Sequence, residues 1–311
     1  MPESLKTAAV ANWMGDITPE QLGFPLPIDR TLYVKESGLV YKQTPSGPLE
    51  LDAYRPTAPT NSPAPLVVMI HGGGWHRGGR YQMGLSRWAG YLASGGLAVV
   101  SIDYRLAPTT QYPDSFQDCL DAIDWAVEHA SELGADARRV GLWGDSAGGH
   151  LALLAATSQT RPDFAGPRLR NGGERLCAAV AWYPPTDLIA LHRSERRARG
   201  GPTTTAGFVG TEPEEDPARW SEVSPLEQAH AGAPPTLILQ GTRDLLVPHS
   251  QATRYAERLQ LLGAPHELHV VENAPHGFDR VAPDENACRL IARSRDFLCD
   301  RLSSGTPERR S

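Results

Sequence analysis

The sequence predicts an α/β protein: a mostly parallel, eight-stranded, doubly wound sheet with helices on both faces. Three observations carry this. Six continuous apolar runs, at residues 66–70, 97–102, 139–143, 177–183, 236–240 and 267–271, have the composition of strands covered on both faces. Helical spacing fills the gaps between them. Two earlier segments, 39–41 and 49–54, are short and alternate apolar with polar residues, as strands at a sheet edge do. Alternating strands and helices favour a parallel sheet wound in both directions.

Taken in chain order, 39–41 and 49–54 flank Pro45-Ser46-Gly47-Pro48 and predict an antiparallel hairpin. The run 66–70 predicts a buried strand and leads directly into His71-Gly72-Gly73-Gly74-Trp75. Three glycines there let the backbone turn and present bare N–H groups. After the strand at 97–102, residues 115–133 place Phe116, Cys119, Leu120, Ile123, Val127 and Ala130 on one helical stripe. The strand at 139–143 runs into Gly144-Asp145-Ser146-Ala147-Gly148 and then a helix-like apolar run, His150-Leu151-Ala152-Leu153-Leu154-Ala155-Ala156. Strand, tight glycine-flanked turn and helix are the geometry of a nucleophile elbow. The strand at 236–240 ends in Gly241-Thr242-Arg243-Asp244, and that at 267–271 leads to Asn273-Ala274-Pro275-His276-Gly277-Phe278. Helical spacing returns at 250–262 and 285–302. Residues 1–34 and 186–230 do not fit the sheet. The first is expected to be a lid-like segment and the second a cap or pocket-wall insertion in a catalytic domain spanning 35–303. Residues 304–311 are expected to be a disordered tail.

Thirty basic and thirty-six acidic residues give a net charge of −6 across 311 residues. The one basic run, 193–199, is broken by Ser194, Glu195 and Ala198 and reads as a solvated face, so no nucleic-acid partner is expected. Four cysteines, at 119, 177, 288 and 299, form neither C-x-x-C nor a zinc spacing. They read as free thiols, which suits a reducing, cytoplasmic compartment. The first thirty residues lack a continuous apolar run, and no stretch approaches the ~18 uninterrupted apolar residues of a membrane span. Neither a signal peptide nor a membrane partner is therefore expected. At this length the chain can bury about three quarters of its unfolded surface, and α/β folds of this size are commonly one domain.

Three reactive residue types each follow the end of a separate strand, in the order Ser, Asp, His. Ser146 is the candidate nucleophile. A serine hydroxyl needs a base within hydrogen-bond reach, since it is a poor nucleophile at neutral pH. The bland reading of Ser146 is a helix N-cap. Among ten histidines, His276 is the candidate base because it lies in a glycine-bounded loop after the last strand. His249 competes by its proximity to Asp244 but opens the next helix, and His150 lies one turn beyond Ser146 in a supporting position. Asp244 is the candidate carboxylate that orients the imidazole, with Asp187 as the alternative.

The segments His71-Gly72-Gly73-Gly74-Trp75, Gly144-Asp145-Ser146-Ala147-Gly148-Gly149 and Asp103-Tyr104-Arg105-Leu106-Ala107-Pro108 resemble those of the hormone-sensitive-lipase-like esterases of the α/β-hydrolase fold. The resemblance extends through the Asp244 and His276 segments, over roughly residues 35 to 300. It implies an acyl-enzyme on Ser146 and an oxyanion hole made by the backbone N–H groups of Gly73, Gly74 and Ala147. The expected activity is that of a serine carboxylesterase on small to medium, uncharged esters. The alternative is an aryl-ester, feruloyl-type esterase or an arylformamidase or amidase using the same triad. Trp75, Trp182, Tyr183, Phe208 and Phe278 are the candidate pocket aromatics, although Trp75 could equally be packing. No metal-ligand cluster is spaced along the chain, and neither a metal nor an organic cofactor is expected. The partner is a small-molecule ester, and the oligomeric state stays open, a homodimer included.

Overall fold

The computed structural model describes residues 24–57, 62–81, 84–158, 176–280 and 285–303. The expectations for 1–23 and 304–311 lie outside the described residues. Strands β1 (Tyr33–Thr44) and β2 (Gly47–Pro56) pair antiparallel around Pro45 and Ser46. They are followed by β3 (Ala64–Ile70), β4 (Ala98–Ile102), β5 (Ala135–Asp145), β6 (Leu176–Trp182), β7 (Thr236–Gly241) and β8 (His266–Val271). The eight form one sheet in the order β1-β2-β4-β3-β5-β6-β7-β8. The hairpin joins the rest through an antiparallel β2–β4 contact, and the remaining neighbours are parallel.

This order explains the layering. From β3 the chain returns through α1 (Leu85–Ser94) to β4 on one side, and from β5 it returns through α3 (Ala147–Ser158) to β6 on the other. Right-handed crossovers in opposite directions put α1 and α3 on opposite faces. The core is split accordingly. On one face α1 and α9 (Glu285–Ser303) pack with Trp88, Trp143, Trp182 and Phe297. On the other, α2 (Asp114–Glu128), α3 and α8 (Ser250–Leu261) pack with Phe116, Leu153 and Tyr255. The chain leaves the paired carboxyl ends of β3 and β5 towards opposite layers, and the crevice at such a reversal is where ligands bind in open α/β sheets.

The insertion folds as four short helices, α4 (Leu188–Arg199), α5 (Thr204–Val209), α6 (Pro217–Glu222) and α7 (Pro225–Gln228). Side-chain caps start three of them. Asp187 accepts from the Ala190 amide, Thr203 from Ala206, and Asp216 from Arg219 at 2.9–3.0 Å. Leu188, Leu191, Phe208, Val209, Trp220, Val223 and Leu226 join the core, so the insertion is packed rather than loose. The basic run lies on α4 with Arg193, Arg196 and Arg197 exposed. The described part of the N-terminal segment packs elsewhere. Phe24 meets Trp88 and Tyr91 of α1 at 5.3 and 5.4 Å between centroids, on the face opposite the insertion.

Three boundaries depart most from the sequence expectation, the first being β1, which spans Tyr33–Thr44 rather than 39–41. The helix expected over 115–133 ends at Glu128, and the expectation overran it because the apolar spacing continues through the buried turn residues Ala130 and Leu133 before Gly134 turns at φ 67°. Strand β5 begins at Ala135 rather than 139. Its first residues carry the Asp136–Arg138–Arg139 ion pairs, which hide the strand from an apolar pattern.

Candidate active site

Strand β5 and helix α3 meet at Ser146, whose φ of 52° lies in the left-handed region. Such a conformation in a non-glycine residue is costly and persists only where the surroundings hold it. Here the Ser146 amide donates to the Trp182 carbonyl at 2.8 Å, and the His150 amide donates to the Ser146 carbonyl at 2.9 Å. The turn is so tight that a Cβ on Gly148 would lie 2.0 Å from the Ile70 carbonyl oxygen. The positive end of α3 lies directly beneath the serine.

The structure brings Ser146, His276 and Asp244 together. His276 Nε2 is 3.0 Å from Ser146 Oγ, and Nδ1 is 2.7 Å from Asp244 Oδ2. A carboxylate only accepts, so the imidazole carries its proton on Nδ1 and leaves Nε2 free to accept from the serine hydroxyl. Asp244 is itself fixed. Its Oδ1 accepts from the amides of Leu246 and Val247 at 2.9 and 2.8 Å, and Oδ2 also accepts from Gln240 Nε2 at 3.0 Å. His276 is backed by the Tyr183 ring at 4.4 Å between centroids. The other candidate carboxylate, Asp187, caps α4 and pairs with Arg254 at 2.6 Å. His249 sits at the N-terminal cap of α8, as expected.

The loop after β3 closes against the elbow. Asp145 Oδ1 accepts from the Gly72 amide at 2.9 Å, and the same carboxylate pairs with Arg280, four residues beyond His276. One buried aspartate thereby ties the glycine loop, the elbow and the histidine loop to each other. Gly73 adopts φ 122°, and a Cβ there would lie 2.0 Å from the Arg77 carbonyl oxygen. Among the described residues, no hydrogen bond to a protein acceptor is found from the amides of Gly73, Gly74 or Ala147. Three donors at this rim are thus open to an oxygen of a bound molecule. His71 Nδ1 lies 2.7 Å from the Gly72 carbonyl, and its ring stacks on Tyr104 at 4.3 Å, so it braces the turn.

The aromatic candidates divide. Trp75 and Phe208 stack on one another at 4.9 Å and 18° beside the glycine loop. Trp182 and Phe278 are not brought to the site. They pack at 5.2 Å from each other in the core beneath α1, with Trp88 5.3 Å from Trp182. Alternation along β6 puts the Trp182 side chain on that face, while only its backbone reaches the elbow. Tyr183 stands between the two groups, its ring against His276 and its hydroxyl on the buried Asp279, which also accepts from Trp88 Nε1. Sequence reasoning passed over Gln240, Asp279 and Arg280. The nearness of Asp279 and Arg280 to His276 was the one available signal. It left His150 without a partner, and the structure supplies two, Trp75 and the Val223 carbonyl.

Among the described residues, no group of three or more His, Cys, Asp or Glu side chains is arranged to hold a metal ion, and no helix is long and apolar enough to cross a membrane. Among the described residues, none of the four cysteines forms a disulfide.

Comparison with known proteins agrees with this geometry. The family model BD-FAE matches residues 51–259. Esterase LipC of Mycobacterium tuberculosis is 29% identical over 308 residues, covering 93% of this chain and 75% of its own length. Ethyl acetate hydrolase of Pseudomonas putida is 32% identical over 246 residues, covering 75% of this chain and 72% of its own. The solved structure of esterase Est2 from the Planctomycetes species Thermogutta terrifontis, with propionate bound, superposes with a TM-score of 0.69 at 29% identity, over 88% of this chain and 96% of that one. The chain belongs to the BD-FAE family and is a carboxylesterase of the hormone-sensitive-lipase-like type, with the α/β-hydrolase fold.

Proposed function

We propose that this carboxylesterase hydrolyses small to medium, uncharged carboxylic esters through an acyl-enzyme on Ser146. The observation that carries the reading is the unbroken Asp244–His276–Ser146 hydrogen-bond chain beside three open backbone amides. Ser146 Oγ attacks the ester carbonyl carbon as its proton passes to His276 Nε2. The carbonyl oxygen becomes an oxyanion that accepts from Gly73, Gly74 and Ala147. Asp244 stabilises the imidazolium formed in this step. His276 then gives the proton to the departing alkoxide, and the alcohol leaves. Water, deprotonated by the same nitrogen, attacks the acyl-enzyme. Collapse of the second oxyanion releases the acid and returns the proton to Ser146.

The size range is supported by the wall over the loop. Helix α5 lies so close that a Cβ on Gly74 would be 3.2 Å from Thr204 Cγ2, and the Trp75–Phe208 stack closes the space beside it. Residues 186–230 act in this reading as a packed pocket wall. The preference for uncharged groups follows from Asp145 and Arg280 neutralising one another. Ethyl acetate, named for one relative, and the propionate held by another fall within the range. Four cysteines outside any disulfide favour work in a reducing cytoplasm.

Substituting Ser146→Ala tests the assignment. Turnover of p-nitrophenyl acetate is expected to vanish while the circular dichroism spectrum is unchanged, and a fluorophosphonate is expected to label wild type at Ser146. Unaltered turnover in the variant defeats it.

A further inference from the structure

Resting on the hydrolytic reading above, we propose that His150 is a positioning residue of the oxyanion loop, which it holds through the indole of Trp75. His150 lies one turn along α3 from Ser146 and is completely buried. Its Nδ1 accepts from Trp75 Nε1 at 3.1 Å, and its Nε2 lies 2.8 Å from the Val223 carbonyl at the end of α6. An indole N–H can only donate and a carbonyl can only accept. The two partners therefore fix His150 as the neutral ring with its proton on Nε2, and both nitrogens are used. Burial pushes its pKa down to about 4, so the ring stays neutral at neutral pH.

Trp75 directly follows Gly73 and Gly74, and its own φ is 63°. A bulky aromatic residue in the left-handed region is strained and must be held there. Four contacts do so. The indole stacks on Phe208 and meets the His150 ring edge-on at 5.3 Å and 86°. Its N–H is taken by His150, and the Trp75 carbonyl accepts from Ala107 at 2.9 Å. The indole N–H to His150 bond is the direct polar tie between the Trp75 side chain and α3. Because α3 also begins at the nucleophile, one helix gauges both the serine oxygen and the loop that carries two oxyanion donors. Loss of this tie leaves the loop packed but free to shift, and a misplacement near 1 Å costs on the order of 10²-fold in rate.

The test compares His150→Phe, Trp75→Phe, His150→Gln and the double variant His150→Phe/Trp75→Phe in the full chain. Hydrolysis of p-nitrophenyl acetate is measured alongside inhibition by a trifluoromethyl ketone, which forms a tetrahedral adduct on the serine. His150→Phe and Trp75→Phe are expected to lower kcat roughly 10–100-fold with KM within about twofold, and to weaken the ketone by the same factor. The double variant should be no worse than either single one. Glutamine can accept the indole N–H through Oε1 and donate to the Val223 carbonyl through Nε2, so His150→Gln should recover most of kcat and ketone affinity. Trp75→Phe keeps an aromatic ring against Phe208 while losing the N–H together with the five-membered half of the indole, so it remains informative if His150→Phe does not fold. Folded His150→Phe and Trp75→Phe variants that keep kcat and ketone affinity within twofold, or a Phe at 150 that outperforms Gln, overturn the proposal while Ser146→Ala still upholds the hydrolytic reading. A wild-type protein inert to both ester and ketone defeats the hydrolytic reading, and this proposal with it.

Discussion

Substituting Asp244→Asn isolates the electrostatic part of the triad. The carboxylate accepts three hydrogen bonds besides that of His276, from the Leu246 and Val247 amides and from Gln240 Nε2. Asparagine nearly matches its shape but has one accepting oxygen. The two amides cannot turn away, so they claim that oxygen and leave the NH2 group facing Gln240 and His276. A donor there can bond only to an unprotonated Nδ1. The imidazole then carries its proton on Nε2, facing Ser146 Oγ, and cannot accept the serine proton. A wrong tautomer in a serine–histidine–aspartate triad costs about 10⁴ in kcat, equivalent to about 5 kcal/mol of transition-state stabilisation. Steady-state hydrolysis of p-nitrophenyl acetate at pH 7.5 reads kcat, and the rate of fluorophosphonate labelling reads serine nucleophilicity apart from deacylation. Both should fall by a similar factor, with the thermal midpoint little changed because shape and burial are kept. A loss below tenfold in a folded variant refutes the tautomer argument and leaves Asp244 a structural residue.

Further outcomes follow from other contacts. Arg280→Met leaves the Asp145 carboxylate, 1% exposed, without its cation, and should destabilise the fold by about 3–5 kcal/mol in urea titration, partly relieved by a second change of Asp145→Asn. An unchanged midpoint counts against the tie between loops. Phe208→Ala removes a fully buried ring from the Trp75 stack, so stability should drop by about 3–5 kcal/mol. The opened wall should also move preference from acetyl towards hexanoyl p-nitrophenyl esters, and an unmoved chain-length profile would place the acyl group elsewhere. Burial lowers the His150 pKa from 6.5 to about 4 in the folded state. Between those values the unfolded chain binds a proton that the folded chain refuses, so stability declines as pH falls through this window, by up to about 3 kcal/mol. The difference between urea midpoints at pH 7 and pH 4.5 should therefore be smaller in His150→Gln than in wild type, and an equal difference would show that this ring does not carry the effect.

Much of the fold was legible before any coordinates. Parallel strands buried on both faces must be apolar throughout, so 66–70, 97–102 and 236–240 stood out, and a reversal as tight as that at 144–148 demands glycines. The early residues of β5 and most of β1 were not legible. Their side chains are charged or exposed, and strand pairing there is carried by backbone hydrogen bonds that leave no apolar trace. The insertion was recognised as foreign to the sheet, but its four helices and their packing were not, because its buried residues find partners on α3 and on the loop after β3 rather than near them in sequence.

The same division holds at the site. The order of serine, aspartate and histidine after successive strands is a property of the chain alone, since strand ends in a parallel sheet share one rim. Which aromatic residue faces that rim was decided only by the tertiary structure. The side chain of Trp182 lies on the α1 face although its carbonyl binds the elbow, and Phe278 follows it into the core. The pairing of Asp145 with Arg280, of Gln240 with Asp244 and of His150 with Trp75 likewise appeared only in three dimensions. Local pattern reports what a residue can do chemically. Its partners, and hence its protonation, orientation and strain, are set by backbone brought close from far along the chain.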